Sequence, residues 1–154
     1  MRTTVTTEPI WFIDTLARIR VAGADSGGRL AVVESEGRRG DTPPLHLHRR
    51  EDETFCVLEG ELSLHQPGRS LTLRAGEAAF ASRGIPHTYR VESDTARWLV
   101  IATPAGFDDF VREAGEPAPE ETLPPEGRQH DVERIGQIAA THGIELLGPP
   151  GTMP

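Results

Sequence analysis

Residues 10–103 alternate apolar and polar positions in short runs, which Gly, Pro and Asp interrupt at intervals of about ten residues. A period of two is typical of half-buried β-strands, and this turn spacing is typical of antiparallel all-β domains. The runs are Arg18–Val21, Arg29–Glu34, Leu45–His48, Thr54–Leu58, Glu61–Leu64, Ser70–Leu73, Ala78–Phe80, His87–Val91 and Arg97–Thr103. Turns are predicted at Glu59-Gly60, as a tight hairpin, and at Pro67-Gly68 and Ala75-Gly76. The pattern predicts a β-barrel or β-sandwich.

The hydrophobic period changes to that of a helix after Pro104. The apolar residues Phe107, Phe110, Val111 and Ala114 share one helical face, and Gly115 is expected to end this helix. A second helix is predicted over residues 131–142, with an apolar face of Val132, Ile135, Ile138 and Ala139. Both faces are expected to dock onto the barrel, near its mouth. Residues 116–127 are predicted to be a solvated linker, and Gly148–Gly151 to have no regular structure.

The chain has 154 residues, the size of one ordinary domain. We expect a single domain over residues 1–154, with the barrel at about 10–103 and a helical tail at about 104–154. The longest apolar run, Trp98–Ala102, is far too short to span a membrane, and no leader-like apolar stretch opens the sequence. We therefore expect a cytoplasmic protein with no membrane partner.

The amino-acid composition limits which partners and which reaction mechanisms are possible. Acidic residues outnumber basic ones by 24 to 16, and the resulting net charge of -8 disfavours a nucleic-acid partner. The single cysteine, Cys56, allows neither an internal disulfide nor a cluster of thiolates. The chain has no lysine, which excludes Schiff-base and P-loop mechanisms. Any bound metal must therefore be held by histidines and carboxylates.

Four residues with metal-ligand chemistry follow the strand pattern. His46 and His48 are separated by one residue, so both imidazoles point to the same face of their strand. Glu53 shares its phase with the apolar residues of the next strand and meets the same space if these point inward. His87 opens a later strand and is placed to supply a third imidazole. This set suits one divalent transition metal ion: Ni, Mn, Fe, Co, Cu or Zn.

The spacing of these residues resembles the two motifs of the cupin superfamily. The first motif matches at Gly40, His46, His48, Glu53 and Gly60, and the second begins at Gly76 and reaches Gly84 and His87. Ser82 and Val91 depart from the second motif, which usually has proline and asparagine there. The chain looks like small bacterial single-domain cupins related to quercetin dioxygenases. The resemblance implies an all-β double-stranded β-helix, or jelly roll, with a short C-terminal helical extension and a metal inside the barrel. It assigns His46, His48, Glu53 and His87 as the ligands.

Five further residues are candidates for the substrate pocket: Phe55, Val57, Phe80, Tyr89 and Glu34. The first three are placed to form an apolar wall near the metal, although core packing explains them equally well. Tyr89 follows His87 by two residues and either hydrogen-bonds a substrate or packs its ring in the core. Glu34 shares its phase with apolar neighbours, which makes a pocket-facing carboxylate an alternative to a surface one.

Other features are expected at the surface. The charged segment Arg49–Asp52 is predicted to be solvated, and His65, His130 and His142 have no second ligand beside them. The apolar segment Ile10–Ile13 is predicted to be an edge strand that needs a cover, and a homodimer is the expected way to provide it.

The resemblance implies a dioxygenase that acts on a small aromatic or enolisable substrate and on dioxygen. Glu53 would then be both a metal ligand and the catalytic base. A non-redox isomerase, cyclase or decarboxylase could use the same residues, and a non-enzymatic ligand-binding protein is a third alternative. Metal identity and oxygen uptake distinguish these classes.

Overall fold

The structure is a computed structural model that describes residues 8–154. Its strands are β1 (Ile10–Phe12), β2 (Thr15–Val21), β3 (Ala31–Arg38), β4 (Pro44–His48), β5 (Asp52–Glu59), β6 (Glu61–Gln66), β7 (Arg69–Arg74), β8 (Ala78–Ala81), β9 (Thr88–Val91), β10 (Thr95–Thr103), β11 (Glu116–Pro117) and β12 (Ile144–Pro150). Its helices are α1 (Phe107–Ala114) and α2 (Val132–Thr141), with a 3-10 turn at Gly23–Ser26. Within residues 8–154, neither helix is long and apolar enough to cross a membrane.

The strands form two facing layers, and all their pairings are antiparallel. One layer is a seven-stranded sheet with the order β11-β1-β2-β3-β10-β5-β8. The other contains the sheets β7-β6-β9 and β12-β4, which a bridge between His46 and His87 connects. This arrangement confirms the predicted all-β double-stranded β-helix with a small helical part.

The main core lies between the two layers, where alternate strand residues point inward. Its fully buried members include Phe55, Val57, Leu62, Leu64, Val91 and Trp98. Val57, which was a candidate pocket residue, packs in this core. A smaller cluster of Phe110, Ala139 and Ile144 joins both helices to β12. The helices therefore dock as expected, except that Val132 on the predicted apolar face is 72% exposed.

The C-terminal tail differs from its prediction. Gly148-Pro149-Pro150 extend a strand, β12, which pairs with β4 through an irregular register at Leu146, Gly148 and Pro150. Proline is tolerated because its missing N–H falls where the ladder is already interrupted. The prediction of a solvated linker at residues 116–127 is wrong at Glu116–Pro117, which pair with β1, and at Pro124, which is buried.

Two predictions near the strand ends also need correction. Gly60, with a φ of +79°, does not close a hairpin, because β5 and β6 belong to different sheets and the chain crosses between them there. The segment Ile10–Phe12 is not an uncovered edge, since β11 pairs with it and Phe12 packs edge-on against Phe110. The stated reason for a homodimer therefore fails, and dimerisation stays a prediction.

Candidate metal centre

Backbone pairing brings His46 and His87 side by side. The amide of His46 donates to the carbonyl of His87 at 3.2 Å, and the amide of His87 donates to the carbonyl of His46 at 2.8 Å. Their ring centroids lie 4.5 Å apart. Leu45 and Leu47 occupy the other face of β4 and are buried there, which directs the two histidines of this strand into the barrel.

Glu53 reaches the histidines from the opposite layer. It lies on β5 between Ala102 of β10 and Ala81 of β8, whose small side chains leave space around its carboxylate. Its Oε2 is 2.8 Å from His87 Nε2 and 3.2 Å from His48 Nε2. The structure thus brings together the four residues that the sequence proposed as ligands.

The donor atoms fit a metal ion. One potential ligand atom from each of His46, His48, Glu53 and His87 lies within 4.8 Å of the other three. His46 Nδ1 is 2.7 Å from the Pro44 carbonyl, and His48 Nδ1 is 2.7 Å from Glu51 Oε1, which leaves both Nε2 atoms for the interior. The buried Nε2 of His48 has no hydrogen-bond partner among the described residues. Such an orphaned nitrogen beside a carboxylate matches a divalent transition metal site.

Burial and neighbouring charges determine the protonation states of His46, His48 and Glu53. Burial, followed by the neighbouring His87 and His48, lowers the pKa of His46 from 6.5 to about 3. Burial also lowers the pKa of His48, but Glu53 and Glu51 outweigh it and raise this pKa above 6.5. Burial raises the pKa of Glu53, but His48, His87 and His46 together bring it down to about 2. Glu53 is therefore ionised and His46 neutral at pH 7, the states in which both act as ligands.

A largely apolar cavity of about 80 Å³ adjoins the cluster. His46, His48 and Glu53 line one part of it, and Phe55, Tyr89 and Trp98 of the barrel line another. The helices and the tail contribute Phe107, Phe110, Ile135, Ile144 and Leu146. The C-terminal extension thus forms part of the cavity wall.

The candidate pocket residues separate into two groups. Phe55 and Tyr89 line the cavity, and the Tyr89 ring packs against Trp98 at 5.1 Å, so this tyrosine both packs and faces the cavity. Val57 lies inside the core and does not line the cavity. Phe80 is 55% exposed, because it pairs with Thr54 on the face opposite Glu53 and Phe55.

Glu34 does not face the cavity either. Ala31, Val33, Ser35 and Gly37 form the inward face of β3, so Glu34 lies on the outer face. There it is 3.0 Å from guanidinium nitrogens of both Arg20 and Arg97. Its burial is explained by these ion pairs rather than by a substrate.

Several residues of the site were absent from the sequence-based prediction. Glu51 was expected to be solvated but is only 3% exposed, because it accepts the hydrogen bond that orients His48. Its position three residues after a ligand was the available signal. Asp41 and Trp98 also line the cavity. The other histidines, His65, His130 and His142, lie outside the cluster and bond to Ser63 and Ser70, to Asp14 and to Glu113, respectively.

Two enzymes are similar to this chain in sequence. The chain is 29% identical over 136 residues to the quercetin 2,3-dioxygenase of Bacillus subtilis (strain 168), covering 88% of this chain and 40% of the relative. It is 23% identical to the quercetin 2,3-dioxygenase of Aspergillus japonicus, covering 73% of this chain and 35% of that protein. The chain thus spans less than half of the length of either enzyme.

Solved structures and a family model complete the comparison. The polyketide cyclase RemF from Streptomyces resistomycificus is 29% identical, with a TM-score of 0.54 over 67% of this chain and 80% of its own. A predicted oxalate decarboxylase from Thermotoga maritima, at 18% identity, shares the fold with a TM-score of 0.58 over 68% of this chain and 99% of its own. The model described as "Cupin domain" matches residues 36–102, the segment that carries all four candidate ligands. This match, together with the fold, places residues 36–102 in the cupin superfamily.

Proposed function

We propose that this protein is a mononuclear metal-dependent dioxygenase that acts on a small aromatic or enolisable compound. The observation that best supports this proposal is the buried cluster of His46, His48, Glu53 and His87 at the wall of a largely apolar cavity. These four residues would hold one divalent transition metal ion, which supplies Lewis-acid and oxygen-activating chemistry when bound. The similarity to two quercetin 2,3-dioxygenases supports this class of reaction.

Glu53 is the proposed catalytic base. It is the one carboxylate among the four residues, and its Oε2 points at the histidine nitrogens rather than at solvent. His46 and His48 have their Nδ1 atoms engaged with Pro44 and Glu51, which fixes their rings while Glu53 takes up a substrate proton. The largely apolar lining would limit the amount of water near this transfer.

The size of the cavity limits the substrate. One water needs about 10–15 Å³ of such space, so about 80 Å³ corresponds to a molecule of one small ring. A flavonol such as quercetin, with several rings, is larger. We therefore propose a smaller enolisable or aromatic substrate than the one named for the Bacillus subtilis relative.

Oxygen consumption tests this proposal. Protein loaded separately with Fe(II), Mn(II), Ni(II), Co(II) or Cu(II) is mixed with a panel of single-ring enols and phenols under air and under nitrogen. Substrate-dependent oxygen uptake that His48→Ala abolishes is the expected result. Turnover that proceeds equally well under nitrogen would contradict a dioxygenase.

The second candidate is a non-redox reaction such as cyclisation, isomerisation or decarboxylation. The polyketide cyclase RemF supports this candidate. RemF is 29% identical to this chain, and the Bacillus subtilis dioxygenase has the same sequence identity. The nitrogen arm of the same experiment detects it as product formed without oxygen. Metal-dependent ligand binding without turnover in either arm would indicate a binding protein.

A further inference from the structure

Three buried polar side-chain atoms have no hydrogen-bond partner among the described residues, and all three belong to residues that line the same cavity. They are His48 Nε2, Asp41 Oδ2 and Trp98 Nε1. The candidate metal site accounts for the histidine nitrogen. It does not account for Asp41 or Trp98, which are absent from the four-residue cluster. Buried unsatisfied groups are rare in folded proteins, so this acceptor and this donor need a partner of their own.

The backbone holds Asp41 rigidly in this position. Its amide donates to the carbonyl of Arg38 at 2.9 Å, and its carbonyl accepts from the amide of Val91 at 3.0 Å. The preceding Gly40, with a φ of +86°, donates to the Val91 carbonyl at 2.8 Å. The backbone amide of Thr42 hydrogen-bonds the carboxylate of Asp41, and Oδ2 has no partner among the described residues.

The neighbouring strand leaves space for this carboxylate. A Cβ atom at Gly37 would lie 2.6 Å from Asp41 Oδ2 and 3.4 Å from the indole of Trp98. Glycine on the inward face of β3 therefore lets the carboxylate pack against the barrel wall beside the indole. Arg38 and Asp14 also act on the carboxylate, and burial with the charge of Asp14 raises the pKa of Asp41 to about 7.

Asp41 and the candidate metal centre face a common space. Asp41 and Tyr89 line the same cavity as His46 and Glu53. Burial, followed by the charges of Asp41 and Glu53, raises the pKa of Tyr89 well above 10. A small molecule in the cavity can thus be held at two points. One is the His46 and Glu53 end, and the other is Asp41.

We propose that Asp41 is a substrate-contacting residue, whose free Oδ2 accepts a hydrogen bond from a hydroxyl group of the molecule bound in the cavity. Trp98 Nε1 offers a donor to an oxygen of the same molecule. This inference rests on the proposed function and narrows it to a class of substrate: a small enolised compound that carries a second hydroxyl group away from the oxygen held at the metal end.

A matched pair of ligands tests the proposal. Kojic acid and allomaltol are single-ring enolones that differ in one group, a hydroxymethyl in the first and a methyl in the second. Both are titrated into protein loaded with Zn(II), which has no redox chemistry. We expect kojic acid to bind on the order of tenfold more tightly, because its hydroxyl gives the unpartnered Oδ2 of Asp41 a hydrogen bond that allomaltol does not provide.

Variants of Asp41 identify the acceptor. Asp41→Leu is expected to remove the preference for kojic acid and to leave the zinc content unchanged, because Asp41 lies outside the four-residue cluster. Asp41→Asn, which keeps one acceptor oxygen in the same shape, is expected to retain part of the preference. The control is Asp94→Asn, which changes a carboxylate that is 97% exposed and lies outside the cavity lining, and it should keep the full preference.

The outcomes separate the two proposals. Equal binding of the two ligands to the parent, or a preference that survives in Asp41→Leu, overturns the role of Asp41 and leaves the proposed function standing. If neither enolone binds the zinc-loaded parent, the proposed substrate class and the role of Asp41 both fall. A crystal structure of the kojic acid complex provides a second measurement, in which a hydroxymethyl oxygen more than about 3.5 Å from Asp41 contradicts the contact.

Discussion

His48 lies directly opposite Ile144 in the antiparallel pair of β4 and β12. Ile144 is 4% exposed and packs with Phe110 of α1 and Ala139 of α2. The strand that carries two candidate ligands is therefore supported on one side by His87 and on the other by the C-terminal tail. The extension after β10 holds the candidate metal centre in place and forms part of the cavity wall.

This relationship predicts that Phe110→Ala destabilises the protein. Phe110 is buried between the two helices and β12, and removing such a ring costs about 3 kcal/mol or more of unfolding free energy. Urea denaturation measures the loss. Val132→Ala is the control, because this side chain is 72% exposed and its truncation should cost less than about 0.5 kcal/mol. Equal midpoints for Phe110→Ala and the parent would show that the tail is not docked.

Metal content provides the second prediction. Purified protein offered divalent metals should contain close to one ion per chain, and His46→Ala or His48→Ala should lower this occupancy sharply without unfolding the barrel. Elemental analysis with circular dichroism measures both properties. His65→Ala is the matched control, since His65 bonds to Ser63 and Ser70 outside the cluster. Parent-like metal content in both cluster variants would exclude these histidines as ligands.

The third prediction separates the two roles of Glu53. Glu53→Gln keeps an oxygen near His48 and His87 but cannot accept a proton at neutral pH. It should retain a substantial part of the metal and lose oxygen consumption by a factor on the order of 10², the usual contribution of a positioned base. If Glu53→Gln keeps its metal and loses oxygen consumption, the result supports Glu53 as the catalytic base. Full activity with metal present would remove Glu53 from that role.

The parts of the fold that the sequence predicted are those with a strong local signal. Periodic apolar positions placed both helices to within one or two residues, and motif spacing selected the four residues that the structure brings together. The outer face of β3 was harder to interpret. Glu34 is buried there by three arginines, and the sequence does not show which long side chains will meet across strands.

The remaining incorrect predictions concern residues in loops and the register of strand pairing. Glu51 and Asp41 lie in connections, where no periodicity indicates which side chains turn inward. Phe80 was assigned to the pocket because the register of β8 against β5 was unknown, and a shift of one residue exchanges the two faces of a strand. The tertiary structure determines whether these side chains point into the barrel or away from it.

The last prediction concerns stability and pH at Asp41. Burial and the charge of Asp14 raise the pKa of this carboxyl from 3.8 to about 7 in the folded protein. Between these values the folded state keeps a proton that the unfolded state releases, so the parent loses stability as the pH rises from about 4 to 7. The full loss is at most about 4 kcal/mol, since each pKa unit is worth about 1.4 kcal/mol.

Asp41→Asn removes this titration and keeps the shape of the side chain. The difference in unfolding free energy between Asp41→Asn and the parent should therefore grow in favour of the variant from pH 4 to pH 8, whatever its value at pH 4. Urea denaturation of the metal-free proteins across this range measures the trend, and groups that titrate in both proteins cancel in the difference. Asp94→Asn is the control, because Asp94 is 97% exposed and its substitution should produce no such trend. A difference that stays constant for Asp41→Asn would mean that the carboxylate is already stabilised as an anion, and would contradict the raised pKa of Asp41.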